Sequence, residues 1–395
     1  MKRKFEELFL LSPAIMVFAV IFNVPDTKFI VSRLTVLVCL YCLLFHRKAA
    51  FYNLENHRFK FFITVSFMVI GYFSLLTIVR GDVFSFARSL LVTTLYLTLV
   101  PWYRVGRSAV VYLMLGAALV NGGWAIYEHF FIGNVRIGKA VNPIPYALYS
   151  ASMFLCCIYT LRATQLKLLI KVMLVMASLG CSYALLLTDV RGVWLALPFA
   201  IVPLFVTKSS FNLTDKNSIV RFALILITFI GIVSTNLVQE RWDRTIQEFH
   251  LISQGDYGSS IGIRLTLWEN GLDMVTDGLF VGVGSEQLRL GIDTSSEKWI
   301  RGFAHLHNQF LQLLVENGLI GLMIVTVWFA SSLICFRSYA LDFHYQALCC
   351  SILVLFSIAS LTDVPFIHSH IVYLISLLLG GSILLDKQSS GEPSK

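Results

Sequence analysis

Two histidines two residues apart, His305 and His307, are followed by Asn308 at the head of a long apolar run, FAHLHNQFLQLLVENGLIGL, residues 303–322. Imidazole is the side chain best suited to take up and return a proton near neutral pH. On extended backbone the two rings share a face. On a helix they diverge by about 200° and only one faces inward. The run from Gln309 reads as helix, with Gln312 and Glu316 four apart on one side. His307 and Asn308 then lie near its N-terminus, where the helix dipole favours the neutral imidazole that a general base must be. His305 reads more simply as a residue that hydrogen-bonds the loop. A second cluster, LTDVPFIHSH, brings Asp363, His368 and His370 to the same side of the chain. Asp363 suits three roles: orienting a histidine, pairing with an arginine, or capping the turn ahead of Pro365. Two His-x-His pairs plus an aspartate also make a four-histidine or three-histidine-one-aspartate metal set an alternative. The sequence has no Asp-x-Asp, no His-Glu-x-x-His and no Gly-x-x-x-x-Gly-Lys phosphate loop.

Cations form the other chemical signal. Arg191 sits in LLLTDVRGVWLALP, between two apolar stretches with few polar neighbours. An arginine at such a depth is costly unless it meets water or an anion. One reading is a salt bridge to Asp189 or a neighbour, or snorkelling to headgroups. The other is an anion site, because guanidinium forks hold phosphate oxygens in pairs. Arg264 carries the same two readings, a solvated helix face or a second guanidinium aimed into a cavity. Arg80, Arg88, Arg136 and Lys139 fall in segments on the same side as Arg191.

The elements that must position these groups are membrane helices. The chain has 395 residues, 57% hydrophobic and only 14% charged, where a soluble protein carries charge on about a quarter of its residues. The expected fold class is an all-α integral membrane protein, one polytopic domain over 1–395. Twelve apolar spans are expected, approximately 7–24, 28–45, 60–79, 88–103, 108–128, 146–162, 167–187, 192–207, 220–238, 308–336, 345–361 and 366–385. Met-Lys-Arg-Lys ahead of the first, without a cleavage site, marks a retained helix. Basic segments at the N-terminus and at 46–60, 104–107, 162–171 and 208–221 alternate with the spans, which puts both termini in the cytoplasm. The net charge of +8 is this topogenic bias, not a nucleic-acid footprint.

All eight cysteines, Cys39, Cys42, Cys156, Cys157, Cys181, Cys335, Cys349 and Cys350, fall in or at the ends of apolar spans and read as small fillers. One long outer segment remains, 239–307, between spans nine and ten. It reads as a helical cap, with QERWDRTIQEFHLISQ a surface helix. The apolar stripe Ile261, Leu265, Trp268, Leu272 and Val275 marks a second, amphipathic helix. Trp242, Trp268 and Trp299 suit the headgroup level.

Three motifs together resemble the O-antigen ligase family. These are TDVRGVWLALP, then SSIGIRLTLWENGLDMV with GLFVGVGSEQL, and HLHNQFLQLLVENGLIGL. The resemblance covers roughly 185–370, and the N-terminal half only by layout. It implies a GT-C-like membrane fold with one large periplasmic loop in the bacterial inner membrane, and no cofactor or metal. It implies transfer of O-antigen glycan from undecaprenyl pyrophosphate to a sugar hydroxyl of lipid A–core, with inversion. By motif, Arg191 and Arg264 would hold the pyrophosphate and His307 would activate the acceptor. Asp363, Asn308, His305, Arg80, Arg88 and Arg136 are the supporting candidates. The donor is already activated, so no nucleotide is needed. Fixed guanidiniums would stabilise the leaving group. The rivals are an O-antigen polymerase, a protein O-oligosaccharyltransferase and a non-enzymatic glycolipid transporter. Charge-free span centres argue against the transporter.

Overall fold

The structure, a computed structural model, describes residues 2–163, 166–205, 236–334 and 345–389. The ninth expected span, the basic segment 208–221 and Cys335 lie outside the described residues. Everything regular among the described residues is helical. The N-terminal half runs α1 (Lys2–Ile15), α2 (Lys28–Phe45), α3 (Ala49–Leu54), α4 (His57–Arg80), α5 (Ser85–Leu99), α6 (Arg107–Ile126), α7 (Pro143–Ala163), α8 (Leu168–Leu187) and α9 (Arg191–Phe205). The cap contributes α10 (Asn236–Ser253), α11 (Ser260–Val275) and α12 (Ser285–Thr294). Then follow α13 (Gln309–Ile334), α14 (Tyr345–Ala359) and α15 (Ser369–Ser389).

Among the described residues, six stretches are long and apolar enough to cross a membrane: Lys28–Phe45, His57–Arg80, Ser108–Phe131, Pro143–Arg162, Leu168–Leu187 and Gln309–Leu333. Ser85–Leu99, Arg191–Phe205, Tyr345–Ala359 and Ser369–Leu385 are shorter apolar helices. Each meets a span expected from hydropathy to within a few residues. Their apolar surface is uneven: α7 is buried along most of its length, whereas α2 exposes Val36, Leu37, Leu40, Leu43 and Leu44 on one side. A run of exposed leucines suits lipid, not water. The described helices therefore form the bundle of a multi-pass membrane protein, with α9 laid along α14, α6 and α7 against α8, and α4 against α13.

The cap has its own small core: Leu267, Leu288, Ile292, Ile300, Leu306 and Val315. Here one expectation needs correcting. Leu265 and Leu272 of the anticipated stripe on α11 are exposed, and the buried face is Gly262, Thr266, Leu267 and Gly271. Close approach decides the face. A Cβ on Gly271 would stand 2.8 Å from the Leu306 side chain, so a larger residue there would hold α11 away from the histidine loop.

A second correction concerns the span that follows the histidines. Residues 308–336 are expected as one span, but the backbone of α13 leaves helical geometry at Gly318 (φ 66°, ψ −171°), directly after Glu316 and Asn317. The cap loop inserts at this break. Val283 N–H donates to Val315 O (2.8 Å) and Gly284 N–H to Glu316 O (3.1 Å). In return, Leu319 N–H donates to Leu279 O (2.9 Å) and Ile320 N–H to Phe280 O (3.1 Å). The groups freed by breaking a helix are thus satisfied by the loop, as they must be in an apolar setting. Only glycine fits at the two crossing points. A Cβ on Gly282 (φ 79°) would lie 2.3 Å from the Glu316 carbonyl, and one on Gly318 2.3 Å from that of Phe280. The Gly-x-Gly turn and the Glu-x-Gly motif, about thirty residues apart, are two halves of one joint.

Candidate active site

The histidine loop is pinned through the residue between its two imidazoles. Leu306 N–H donates to Gln312 Oε1 (2.8 Å), and Leu306 O accepts from Trp268 Nε1 (2.8 Å). Its side chain is fully buried in the cap core. Gln312 in turn donates to Glu316 Oε1 (2.7 Å), so the two residues expected on one side of the helix do meet. Asn308 Oδ1 caps α13, accepting from Phe310 N (3.0 Å) and Leu311 N (3.1 Å). Asn308 is therefore a structural cap that fixes where the histidines leave the helix.

Between these anchors the loop is not helical, and His307 takes φ 50°. That left-handed residue turns the pair so that both rings lie together, with centroids 4.3 Å apart. The extended alternative is thus the closer one, although the reason is a left-handed residue and not a strand.

Asp363 arrives from the turn between α14 and α15. Gln309 bridges the two chain segments: its N–H donates to Ser360 O (2.8 Å) and its Oε1 accepts from Phe366 N (2.8 Å). This places Asp363 Oδ1 3.7 Å from His307 Nδ1, an ion-pair separation rather than a formed hydrogen bond. His307 Nδ1 is buried with no hydrogen-bond partner, while Nε2 is not among the buried unpartnered atoms. Burial alone would raise the Asp363 carboxyl. The His307 imidazole and the Val364 N–H (2.7 Å) outweigh it and hold the carboxyl below its ordinary value. Burial, with His307 beside it, pushes the His305 imidazole down to about 4, against the pull of Asp363. At neutral pH the cluster is a carboxylate facing two imidazoles, of which His305 is neutral.

The second His-x-His adds no donor to this group, although His368 lies near enough to feel the charge of Asp363. His370 is buried against the Phe22 ring (5.8 Å). Among the described residues, the one group of His, Cys, Asp or Glu close enough to share an ion is His305, His307 and Asp363. A four-histidine set is not assembled.

The arginines divide. Arg191 opens α9 and meets α10, its Nη1 reaching Thr245 Oγ1 (3.2 Å) and Glu248 Oε1 (3.4 Å). Glu248 Oε2 also accepts the Ile261 N–H (2.9 Å) at the head of α11, three residues before Arg264. One carboxylate therefore ties the two candidate phosphate arginines' helices together. Nothing in the sequence singled out Glu248, 57 residues from its partner. α9 also lies hard against the aspartate turn: a Cβ on Gly192 would stand 2.2 Å from Thr362 Oγ1, next to Asp363. Arg264 is half-buried and makes no hydrogen bond or ion pair among the described residues.

Arg80 is fully engaged. It pairs with Asp82 and donates to Val281 O (3.0 Å), Gly282 O (2.9 Å) and Glu316 O (2.9 Å), clamping the joint between cap and α13. Arg88 is exposed on α5. Arg136, also exposed, donates to Thr188 O (2.8 Å), three residues before Arg191, and Lys139 bonds Asn134 (2.9 Å).

A bundle of apolar helices carrying a His–Asp pair beneath the cap, with arginines at the starts of neighbouring helices, defines a multi-pass membrane protein with titratable and cationic groups where cap and bundle meet. Comparison with known proteins narrows this. Residues 172–326 match the family described as O-Antigen ligase. That stretch contains Arg191, Arg264 and His307 but not Asp363. The chain is 22% identical over 333 residues to an O-antigen ligase of Escherichia coli K12, covering 77% of each chain. It is also 22% identical over 296 residues to an uncharacterized protein of Haemophilus influenzae, covering 69% of each. Over residues 172–326 the chain carries the domain described as O-Antigen ligase, and this match together with the likeness to the Escherichia coli ligase supports a glycosyl-transfer role.

Proposed function

We propose that this protein is an inner-membrane glycosyltransferase that moves O-antigen glycan from undecaprenyl pyrophosphate to a sugar hydroxyl of lipid A–core on the periplasmic face. The observation that carries the reading is the His307–Asp363 pair. Nδ1 faces a carboxylate, and Nε2 is left for substrate. With its Nδ1 proton directed to Asp363, His307 presents an Nε2 lone pair. The acceptor hydroxyl attacks the anomeric carbon of the donor sugar and its proton passes to Nε2. The bond from that carbon to the pyrophosphate oxygen breaks, and undecaprenyl pyrophosphate leaves with the electron pair. Attack opposite the leaving group inverts the anomeric centre.

Arg191 and Arg264 take the growing negative charge. Among the described residues, the hydrogen bonds given for Arg191 run through Nη1, so its other donors would serve phosphate oxygens. Arg264 has no protein partner among the described residues to give up. This charge stabilisation stands where a metal ion stands in other glycosyl transfers. The expected twelve-span topology, with the cap of 239–307 in the periplasm, gives both lipid substrates lateral access from the bilayer.

Complementation of a ligase-null Gram-negative strain with a matching core tests this. Lipopolysaccharide is run on gels for wild type, His307→Ala, Arg191→Ala and Arg264→Ala at matched membrane levels. A capped ladder from wild type that disappears in His307→Ala is the expected result. A full ladder from His307→Ala removes the base from the mechanism. Lipid-linked glycan that lengthens without reaching lipid A–core would make the protein a polymerase instead. Glycan recovered on protein would make it an O-oligosaccharyltransferase.

A further inference from the structure

The cluster that serves proton transfer also has the make-up of a metal site. One nitrogen from each of His305 and His307 and an oxygen of Asp363 lie within 4.8 Å of one another. Two imidazoles and a carboxylate are donors that zinc and its neighbours favour. Bond lengths of about 2.0–2.2 Å put tetrahedral donors roughly 3.3–3.6 Å apart. His307 Nδ1 and Asp363 Oδ1, at 3.7 Å, are already near that spacing. The His305 nitrogen, within 4.8 Å of the other two donors, would have to close in. The site is also held in advance, because Leu306 is locked on both backbone sides and Gln309 fixes the aspartate turn. His307 Nδ1 is a buried polar atom that no protein group satisfies, which is costly unless something else does.

We propose that His305, His307 and Asp363 bind a Zn2+-like dication, and that the ion inhibits the enzyme rather than serving it. The inhibition rests on the function proposed above; the binding does not. The metal and the Nδ1 proton of His307 compete for one position. A metal on Nδ1 requires the other neutral tautomer, so the single ring proton leaves Nδ1 and sits on Nε2. The nitrogen that should accept the acceptor's proton becomes a donor, and Asp363 is drawn away as a ligand. Metal ligation requires unprotonated imidazoles, so binding should strengthen as pH rises. Three protein donors leave a fourth position for water.

The test uses the full chain in detergent or nanodiscs, with Co2+ as the spectroscopic probe and Zn2+ as competitor. One Co2+ per chain with four-coordinate visible bands, displaced by Zn2+, is expected. Asp363→Asn and His305→Gln should weaken binding about tenfold or more, since loss of an outer-shell partner alone costs that much. His250→Gln, on the exposed face of α10, should leave binding intact. Absence of the bands, or bands unchanged in Asp363→Asn and His305→Gln, overturns the site. If those variants misfold, acylation of histidines by diethyl pyrocarbonate in the wild type decides. Zn2+ should protect His305 and His307 but not His250, and equal rates with and without Zn2+ overturn the proposal. In glycan transfer, Zn2+ should slow the wild type and a chelator should restore it. Binding with undisturbed transfer refutes the inhibition. Binding in a protein that transfers no glycan refutes the function and leaves the metal site standing.

Discussion

The joint between cap and bundle predicts an unequal response at two glycines that share a backbone conformation. Gly282 and Gly302 both lie at positive φ, 79° and 86°. Alanine at either costs roughly 1–2 kcal/mol for the left-handed backbone. At Gly302 nothing lies within 4 Å of the new Cβ, so that is the whole effect. At Gly282 the Cβ would stand 2.3 Å from the Glu316 carbonyl, where ordinary contact begins at 3.4 Å. The loop has to retreat by about 1 Å, because repulsion is steep at that range. That retreat takes the bonds from Val283 and Gly284, 2.8 and 3.1 Å, to about 4 Å, beyond hydrogen bonding. Two lost backbone bonds at about 1 kcal/mol each bring the cost of Gly282→Ala to about 3–4 kcal/mol. The weakened Arg80 contacts to Val281 and Gly282 add to this. Thermal unfolding of the purified protein should show Gly282→Ala well below Gly302→Ala. Limited proteolysis should open the cap in the first and not in the second. If the two variants melt together, the loop does not thread the break in α13 as described.

Four further outcomes follow from the same geometry. His307→Ala should lower glycan transfer by about 10²–10⁴-fold, the usual contribution of a general base. Asp363→Asn, which keeps the shape and removes the charge, should lower the turnover number more than it raises the Michaelis constant for donor. Steady-state kinetics with lipid-linked donor checks both. His305, held near 4 in the folded protein against about 6.5 when unfolded, contributes stability fully present above about pH 6.5 and lost as pH falls towards 4. A melting series over that window should therefore fall more steeply for wild type than for His305→Gln, and parallel curves would show that the imidazole is not buried as described. Gly192→Ala should destabilise the protein through its 2.2 Å approach to Thr362 Oγ1. Thr362→Ala in the same chain should recover most of the loss, and a double-mutant cycle with no coupling would separate α9 from the aspartate turn.

Hydropathy alone located the helices, because the bilayer imposes one length on every crossing segment. The expected span 28–45 is Lys28–Phe45, and 167–187 is Leu168–Leu187. The break at Gly318 was hidden for the same reason. Leu319 to Ile334 is as apolar as Leu311 to Val315, so the short Glu316-Asn317-Gly318 step between them does not end the hydropathy window. The signal lay in spacing instead, in two glycines whose motif could have been read as a close backbone approach. On α11 an apolar stripe misled because the contact is made by small residues, and Gly271 against Leu306 outranks two exposed leucines. His305–His307 and His368–His370 have identical spacing, yet the first pair meets Asp363 and His370 packs on Phe22. Spacing places two side chains relative to each other. A turn elsewhere in the chain decides what they face.

Glu248 shows how the candidate site is coupled to the cap. Its two oxygens reach Arg191 at the start of α9 and the Ile261 N–H at the start of α11. The Arg191 side chain is 36% exposed, so this ion pair contributes little to stability, about 0–1 kcal/mol after solvent screening. Its weight is in positioning. Under the proposed function, a pyrophosphate arriving at Arg191 would compete with Glu248 for the guanidinium, and a carboxylate released from Arg191 would still hold the N-terminus of α11, three residues from Arg264. Charge bound at one arginine would thereby reach the helix that carries the other. α11 in turn holds the histidine loop through Trp268 and Leu306. The cap would then be more than a cover, because the proposed phosphate side and the proposed proton-transfer side share one position through it.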